Sequence, residues 1–279
     1  MRNSENFYLY GLPLNYSAAN RARYEKKLRV LSRKMTHESQ KEFKKLIDDL
    51  NNIDELTEDQ KLIKKIEVAE KLKKKSDDLY FIYFALFMNN SKNLSSEMVS
   101  NSINASILSL NKTIKKITGK PIPKNEILSD GVKEVVRTEI DENASIIQTI
   151  PKKYFDRISK EINKLINVDY HVSTLSRRFD KINEQIQRYV RNISRNSTEK
   201  TYSSINYRAM IDLGIENFEW HYNYVGQQQR HQHVKWDGDI FNVHNLPISN
   251  ETNSPVFPGW LPYCHCTALP VYKLQIGKK

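Results

Sequence analysis

Glycine is too scarce in this chain to build the loops that cradle phosphates. There are eight glycines in 279 residues, and no G-x-x-x-x-G-K-Ser/Thr or G-x-G-x-x-G run occurs. Nucleotide binding by those routes is excluded, as is a Gly-rich β architecture. Cysteine is scarcer still. The two cysteines, Cys264 and Cys266, are one residue apart and cannot staple a fold, which points to synthesis in a reducing cytoplasm. Met1-Arg-Asn-Ser-Glu5 lacks the apolar core of a signal peptide. The most apolar run, Leu79–Met88, has ten residues, where a membrane span needs about 20. It reads as a buried or partner-facing helix, so no membrane anchor is expected.

Charge and helical periodicity are abundant. The formal net charge is +11. From Thr201 onward six Lys/Arg balance six Asp/Glu, so the excess lies in residues 1–200. A basic helical region suits nucleic acid or an acidic protein surface. Solvated helix faces are the plainer account of Lys64, Lys65 and Lys73–Lys75. Ser17 is a candidate N-cap for a helix whose apolar stripe runs Tyr24, Leu28, Leu31, Met35, Phe43, Leu46 and Leu50. Thr57-Glu-Asp-Gln60 has capping-box spacing and opens a helix towards Met88. Further helices are expected from Ser95, over Glu126–Ile147, and from Pro151 after the Gly119–Pro123 break. Beyond a break near Asn167–Asp169, the seam Leu175, Phe179, Ile182, Ile186, Tyr189 and Ile193 predicts a packed helix. A last helix over Thr198–Leu213 closes on Gly214.

The character changes at Ile215. Phe218–Val225 alternates as a strand, Asp237-Gly238 signals a turn before a short strand at Ile240-Phe241, and Ala268–Tyr272 suits an edge strand because Pro270 is tolerated there. Both cysteines, all three tryptophans and five of seven histidines fall between Phe218 and Cys266, and five of nine prolines between Pro247 and Pro270. His231, His233, His244, His265, Cys264 and Cys266 are donors suited to zinc, and a Pro-rich segment with little core gains from such a staple. The other reading has histidines bonded to carbonyls and reduced cysteines packed as small apolar groups. His231 and His233 point oppositely in an extended chain, so only one joins a given site. Asp237 or Asp239 with His233 or His244 could activate a metal-bound water. However, His244-Asn-Leu-Pro247 lacks the flanking acid and downstream helix of an HNH nuclease. Nothing orients a base for Cys264 or Cys266 either.

The order of these residues resembles a known family. Phe218-x-Trp220, Tyr224, Arg230-x-x-His233-x-x-x-Asp237-Gly238-x-Ile240-Phe241, then Phe257-Pro258-Gly259-x-x-Pro262-x-Cys264-x-Cys266-x-x-x-Pro270-Val271, is similar to the C-terminal signature of the phage Mu F-like minor head proteins, which carry the phage head morphogenesis domain. Upstream, Ile150-Pro151-x-x-Tyr154-Phe155, Ile193-Ser-Arg195-Asn196 and Gly214-Ile215 resemble family segments, and Ala22-Arg23-Tyr24-x-x-x-Leu28 resembles its N-terminal helix opening. The likeness covers about residues 143–273, is weak over 19–50 and is absent between about 51 and 120. His265 stands where the family has Arg or Lys, Ser194 where it has Ala, and Asn196 where it has Asp. The last departure removes a helix-borne carboxylate.

The resemblance implies a non-enzymatic minor head protein acting in head morphogenesis, associated with the portal and other capsid proteins. It also implies a role in DNA packaging or ejection, with double-stranded DNA met through the basic helices, and a location inside the head after synthesis in a bacterial host. It further implies a zinc site on His233, Cys264 and Cys266, with His244 or His265 as fourth ligand. Trp220, Arg230, Asp237, Gly238, Pro258, Gly259 and Arg195 are read as motif residues that hold the fold. The alternative is a metal-dependent nuclease acting on phage DNA. A C-terminal effector domain, as in toxin members, is not expected beyond Val271. The fold class expected is α+β, mainly α: an elongated helical body with a small C-terminal α+β module. The divisions are a basic helical region (1–120), the helical part of the morphogenesis region (121–214) and a His/Cys/Pro-rich module (215–279).

Overall fold

The computed structural model describes residues 7–50, 53–167, 170–224 and 230–274. A first short strand, β1 (Phe7–Tyr10), precedes α1 (Ala18–Ile47). Ser17 caps α1 by accepting the Asn20 N–H at 3.2 Å. α2 (Glu58–Thr118) opens on the expected reciprocal box. The Thr57 N–H donates to Gln60 Oε1 at 3.0 Å, and the Gln60 N–H to Thr57 Oγ1 at 3.4 Å. The short α3 (Lys124–Ile127) leads to α4 (Asp130–Lys164), capped by Ser129, and then α5 (Leu175–Asp212). α5 ends on Gly214, whose φ of 67° sends the Ile215 N–H back to the Met210 carbonyl at 2.9 Å.

Three expected helix boundaries are absent. α2 runs through Ser95 because that hydroxyl donates to the Ile140 carbonyl at 2.7 Å instead of capping a new helix. Pro151 lies inside α4. An interior proline costs about 3 kcal/mol, and the complete burial of Ile147, Ile150 and Tyr154 around it offsets that cost. α5 passes unbroken from Ile193 through Thr198, with Ser197 and Thr198 buried. α4 and α5 are separate helices, as expected, although Val168 and Asp169 of the anticipated break lie outside the described residues.

β2 (Asn217–His221) begins the sheet-forming segment, followed by α6 (His231–Lys235), β3 (Ile240–Asn242), β4 (Ile248–Ser249), β5 (Ser254–Pro255) and β6 (Thr267–Leu274). The expected end of the first of these strands, Val225, lies outside the described residues. The main sheet is antiparallel in the order β1-β6-β2-β3. β6, expected at an edge, is therefore an interior strand. Pro270 is tolerated there because its carbonyl, and hence its missing N–H, faces the β1 side, where the chain has already left the ladder at Gly11. Against β2 it lies opposite Phe218, and no hydrogen bond to β2 is lost. The chain is thus a mainly α, α+β protein. Among the described residues no helix is long and apolar enough to cross a membrane.

Contacts group the chain into two compact units, each discontinuous in sequence: 1–22, 95–141 and 195–279 in the first, 23–94 and 142–194 in the second. The second unit is helical. Its core joins α1 to α5 through the Phe43–Phe179 edge contact at 5.3 Å, and α2 to α4 through Tyr80 and Tyr83 against Phe155. The expected stripes of α1 and α5 face this core, except that Val190 rather than Tyr189 is buried. Tyr189 instead bonds Thr149 at 2.9 Å and lies under Lys153. The first unit packs the sheet and its loops with the C-terminal parts of α2 and α5. Tyr207 of α5 meets Phe257 and Trp260, and its hydroxyl donates to the Val243 carbonyl at 3.0 Å.

Candidate metal centre

Strand alternation in β2 buries Phe218 and Trp220 and leaves Asn217, Glu219 and His221 partly exposed. The Trp220 ring then forms one wall of a pocket in the first unit. α6 supplies the second wall. Its single turn is helical rather than extended, so His231 is exposed while His233 is buried between Trp220, at 4.9 Å, and the stacked Trp236, at 5.3 Å. Arg230 holds the entrance of α6 through Glu251 at 2.7 Å and the Pro262 carbonyl at 2.8 Å. Asp237 accepts the Tyr222 N–H at 2.8 Å and ties the end of β2 to the turn after α6.

The third wall is the run Cys264-His265-Cys266. Alternate residues of extended chain share a face, so both thiols point one way and the imidazole between them points the other. His233 Nδ1 lies 3.5 Å from Cys264 Sγ and 3.5 Å from Cys266 Sγ. On the opposite face His265 Nδ1 lies 3.1 Å from Glu199 Oε1 of α5. His244 is exposed, at the tip of a turn. Of the five candidate ligands, His233, Cys264 and Cys266 come together, with ligand atoms within 4.8 Å of one another, and could hold a metal ion.

The spacing fits zinc. Tetrahedral Zn–S and Zn–N bonds of about 2.3 and 2.05 Å place nitrogen and sulfur about 3.6 Å apart, against the 3.5 Å found for both pairs. The protonation pattern also suits a cation. Cys264 is held well below the usual thiol range by the Cys266 S–H and His233, although burial opposes this. Cys266 is pushed up by the neighbouring Cys264 sulfur and by burial. Thiol protons held in the apoprotein leave when a metal binds. A cavity of about 20 Å³ adjoins these side chains, lined also by Tyr222, Asn223, Arg230 and Tyr263. It is large enough for one water-sized ligand. His233 Nε2 and Trp220 Nε1 are buried with no conventional hydrogen-bond partner among the described residues.

Pro258 and Gly259 seat this run on α5. Gly259 has φ 87°, and a Cβ there would meet Ser203 Oγ at 2.2 Å, so both backbone and packing require glycine. Asn196 Oδ1 accepts the Tyr263 N–H at 3.1 Å, the bond that an Asp at this position could also accept. A cluster that the sequence reading missed lies behind the cysteines. Glu199, buried beside His265, has Arg21 Nη1 at 4.0 Å, and Arg21 donates to Tyr16 Oη at 3.2 Å. Burial, then Glu199, raises the Tyr16 phenol. Arg195 adds a nearby positive charge. No linear signal connects positions so far apart.

The second unit carries a separate basic groove of about 740 Å³ between α4 and α5, lined by Arg157, Lys160, Lys164, Arg177, Arg178 and Lys181. Among the described residues the only carboxylate lining it, Glu161, pairs with Lys164 at 2.7 Å and Arg178 at 3.3 Å. Lys160, Arg177 and Lys181 have no ion-pair partner among the described residues. Some of the lysines singled out in the sequence are more engaged. Lys75 approaches Glu42 at 3.9 Å, and Lys65 donates to the Tyr170 carbonyl at 3.3 Å. Compared with models of known protein families, with curated proteins and with solved structures, the chain finds no match in any of the three.

Proposed function

We propose that this chain is a minor head protein of a phage or prophage, acting in head morphogenesis without catalysis and associating with the portal. The observation that carries the reading is the convergence of the resembling residues. Trp220, Arg230, His233, Asp237, Gly259, Cys264 and Cys266 are spread over some fifty positions, yet each walls or anchors one buried node. A signature that specifies a node of this kind belongs to a structural module. The metal is zinc, held by His233, Cys264 and Cys266 with a water-sized fourth ligand, and it staples loops that have little core of their own. Packaged double-stranded DNA is met through the basic groove of the second unit.

The decisive experiment is copurification. The protein is expected with the portal in procapsids and in virions, and its gene beside a portal gene. Absence from both particles refutes the reading. The nuclease alternative requires a phosphodiester at the metal, and the cavity there admits about one water. A cleavage assay with Mg²⁺ and Zn²⁺, using His233→Ala as control, is expected to show no activity above background.

A further inference from the structure

The apolar run of α2 has two faces. Leu79, Tyr83 and Phe87 are buried in the second unit, while Phe81, Ile82 and Met88 are 68, 61 and 48% exposed. The exposed side is a regular seam: Asp78, Phe81, Ala85, Met88 and Lys92, spaced three, four, three and four, are all exposed. That is the spacing of a helix packed along another helix. A contiguous apolar stripe on a helix surface marks an interaction site more often than chance exposure does.

The ends of the seam identify its occupant. Asp78 and Lys92 are each seven residues from Ala85, with opposite charge. We infer that a second copy of this chain docks here, α2 against α2, antiparallel about Ala85. In that register Asp78 of one copy lies beside Lys92 of the other, and Ile82 beside Met88. Ala85 meets its own counterpart, where a small side chain lets the helices approach closely. The parallel arrangement sets Asp78 against Asp78 and Lys92 against Lys92, so like charges disfavour it. Lys92 also has contacts within its own chain, and the seam asks only that its ammonium face the partner. The apolar part of the seam is the four side chains Phe81, Ile82, Ala85 and Met88, far fewer than the roughly 20–30 residues a side of a stable interface. The dimer is therefore a weak, exchanging one. This inference does not rest on the head-protein reading, and its test uses the purified chain alone.

Sedimentation equilibrium of the full chain from about 1 to about 300 µM covers the range of weak self-association. A monomer–dimer equilibrium is expected, weakened at least tenfold by Phe81→Lys and severalfold by Asp78→Lys. The double variant Asp78→Lys/Lys92→Asp should recover most of the wild-type affinity, because the swapped charges again face each other. These positions are exposed, and unchanged circular dichroism and melting temperature establish that the variants fold. On oxidation Ala85→Cys should form a covalent dimer. Glu70→Cys, 15 residues and so about 22 Å further along the helix, should not, nor should the wild-type chain, whose two cysteines are buried. A chain that stays monomeric throughout the range overturns the inference. So does a dimer indifferent to Phe81→Lys and the charge swap, or a seam that binds portal protein but not a second copy.

Discussion

Zinc at the His233–Cys264–Cys266 node is best tested through stability, because its ligands come from α6 and from the run entering β6. A ligand that binds only the folded state stabilises by RT ln(1 + [L]/Kd), about 2.7 kcal/mol at a hundredfold excess over Kd. For domains of roughly 150–250 residues each kcal/mol moves the melting temperature by about 2–4 °C, so zinc should raise it by roughly 5–11 °C and a strong chelator should reverse the shift. The direction with pH also follows. Apo Cys266 keeps its proton because its pKa is raised. Binding releases that proton, so rising pH favours zinc and the shift should grow from pH 6 to pH 8. Packing and ligation can then be separated at two positions. Cys264→Ser leaves a smaller, poorer ligand and should cost the apoprotein about 1 kcal/mol, while removing the response to zinc and chelator entirely. His233→Phe keeps an aromatic ring between Trp220 and Trp236 and should likewise fold without any zinc response. Scanning calorimetry, elemental analysis and the thiolate-to-cobalt absorption of a cobalt-substituted sample provide the readouts. If purified protein contains no stoichiometric metal and chelator leaves wild type and variants equally unmoved, the node is a packing motif and the reasoning from its 3.5 Å spacings fails.

Gly259→Ala places a Cβ against Ser203 at positive φ and should cost about 1–3 kcal/mol by urea denaturation, with partial rescue by Ser203→Gly. An unchanged midpoint would refute the packing argument. Burial raises Tyr202, and raises Tyr272 to about 12, above the unfolded value of about 10. Their contribution is intact below pH 10 and is lost as pH rises from 10 through 12, so urea midpoints should fall over that window, and phenolate absorbance should lag the unfolded chain. Free titration of every tyrosine near pH 10 in the folded protein would count against it. Charge reversal at Lys160 and Lys181 should weaken binding to duplex DNA and flatten the salt dependence, by about one unit of log–log slope per lost phosphate contact. An unaltered slope would move the DNA surface away from the groove.

Helix ends that are capped locally were legible in the sequence because their chemistry is local. Ser17 and the Thr57–Gln60 box act within one turn, and Gly214 closes α5 where it stands. The interruptions misread at Ser95 and Pro151 depend on distant partners. Ser95 is diverted to the Ile140 carbonyl, and Pro151 is held by buried neighbours in α4. β1 escaped notice for the same reason, because four residues acquire a strand only by pairing with β6 at the other end of the chain. Residue types located the cluster, but His265 was not separable from the cysteines until the extended run set alternate side chains on opposite faces. That alternation is available from C-x-C spacing once the segment is read as extended.

The same alternation explains how so small a node can matter to the first unit. Residues 264–266 are fastened on both faces. The thiols meet His233 and Trp220 on one side, and His265 meets Glu199 on the other. Glu199 belongs to α5, and Arg21, at the start of α1, reaches it at 4.0 Å. Removing His265 would take a hydrogen-bond partner from the buried Glu199 carboxyl, and a buried polar group left unsatisfied is costly. A shift of the cysteine run would therefore be felt through Glu199 in α5, and through Arg21 where α1 begins. Loops with few apolar contacts of their own are made part of a larger cooperative unit in this way. A metal on the cysteine face would stabilise that whole unit rather than the loops alone, which is the behaviour expected of a structural site.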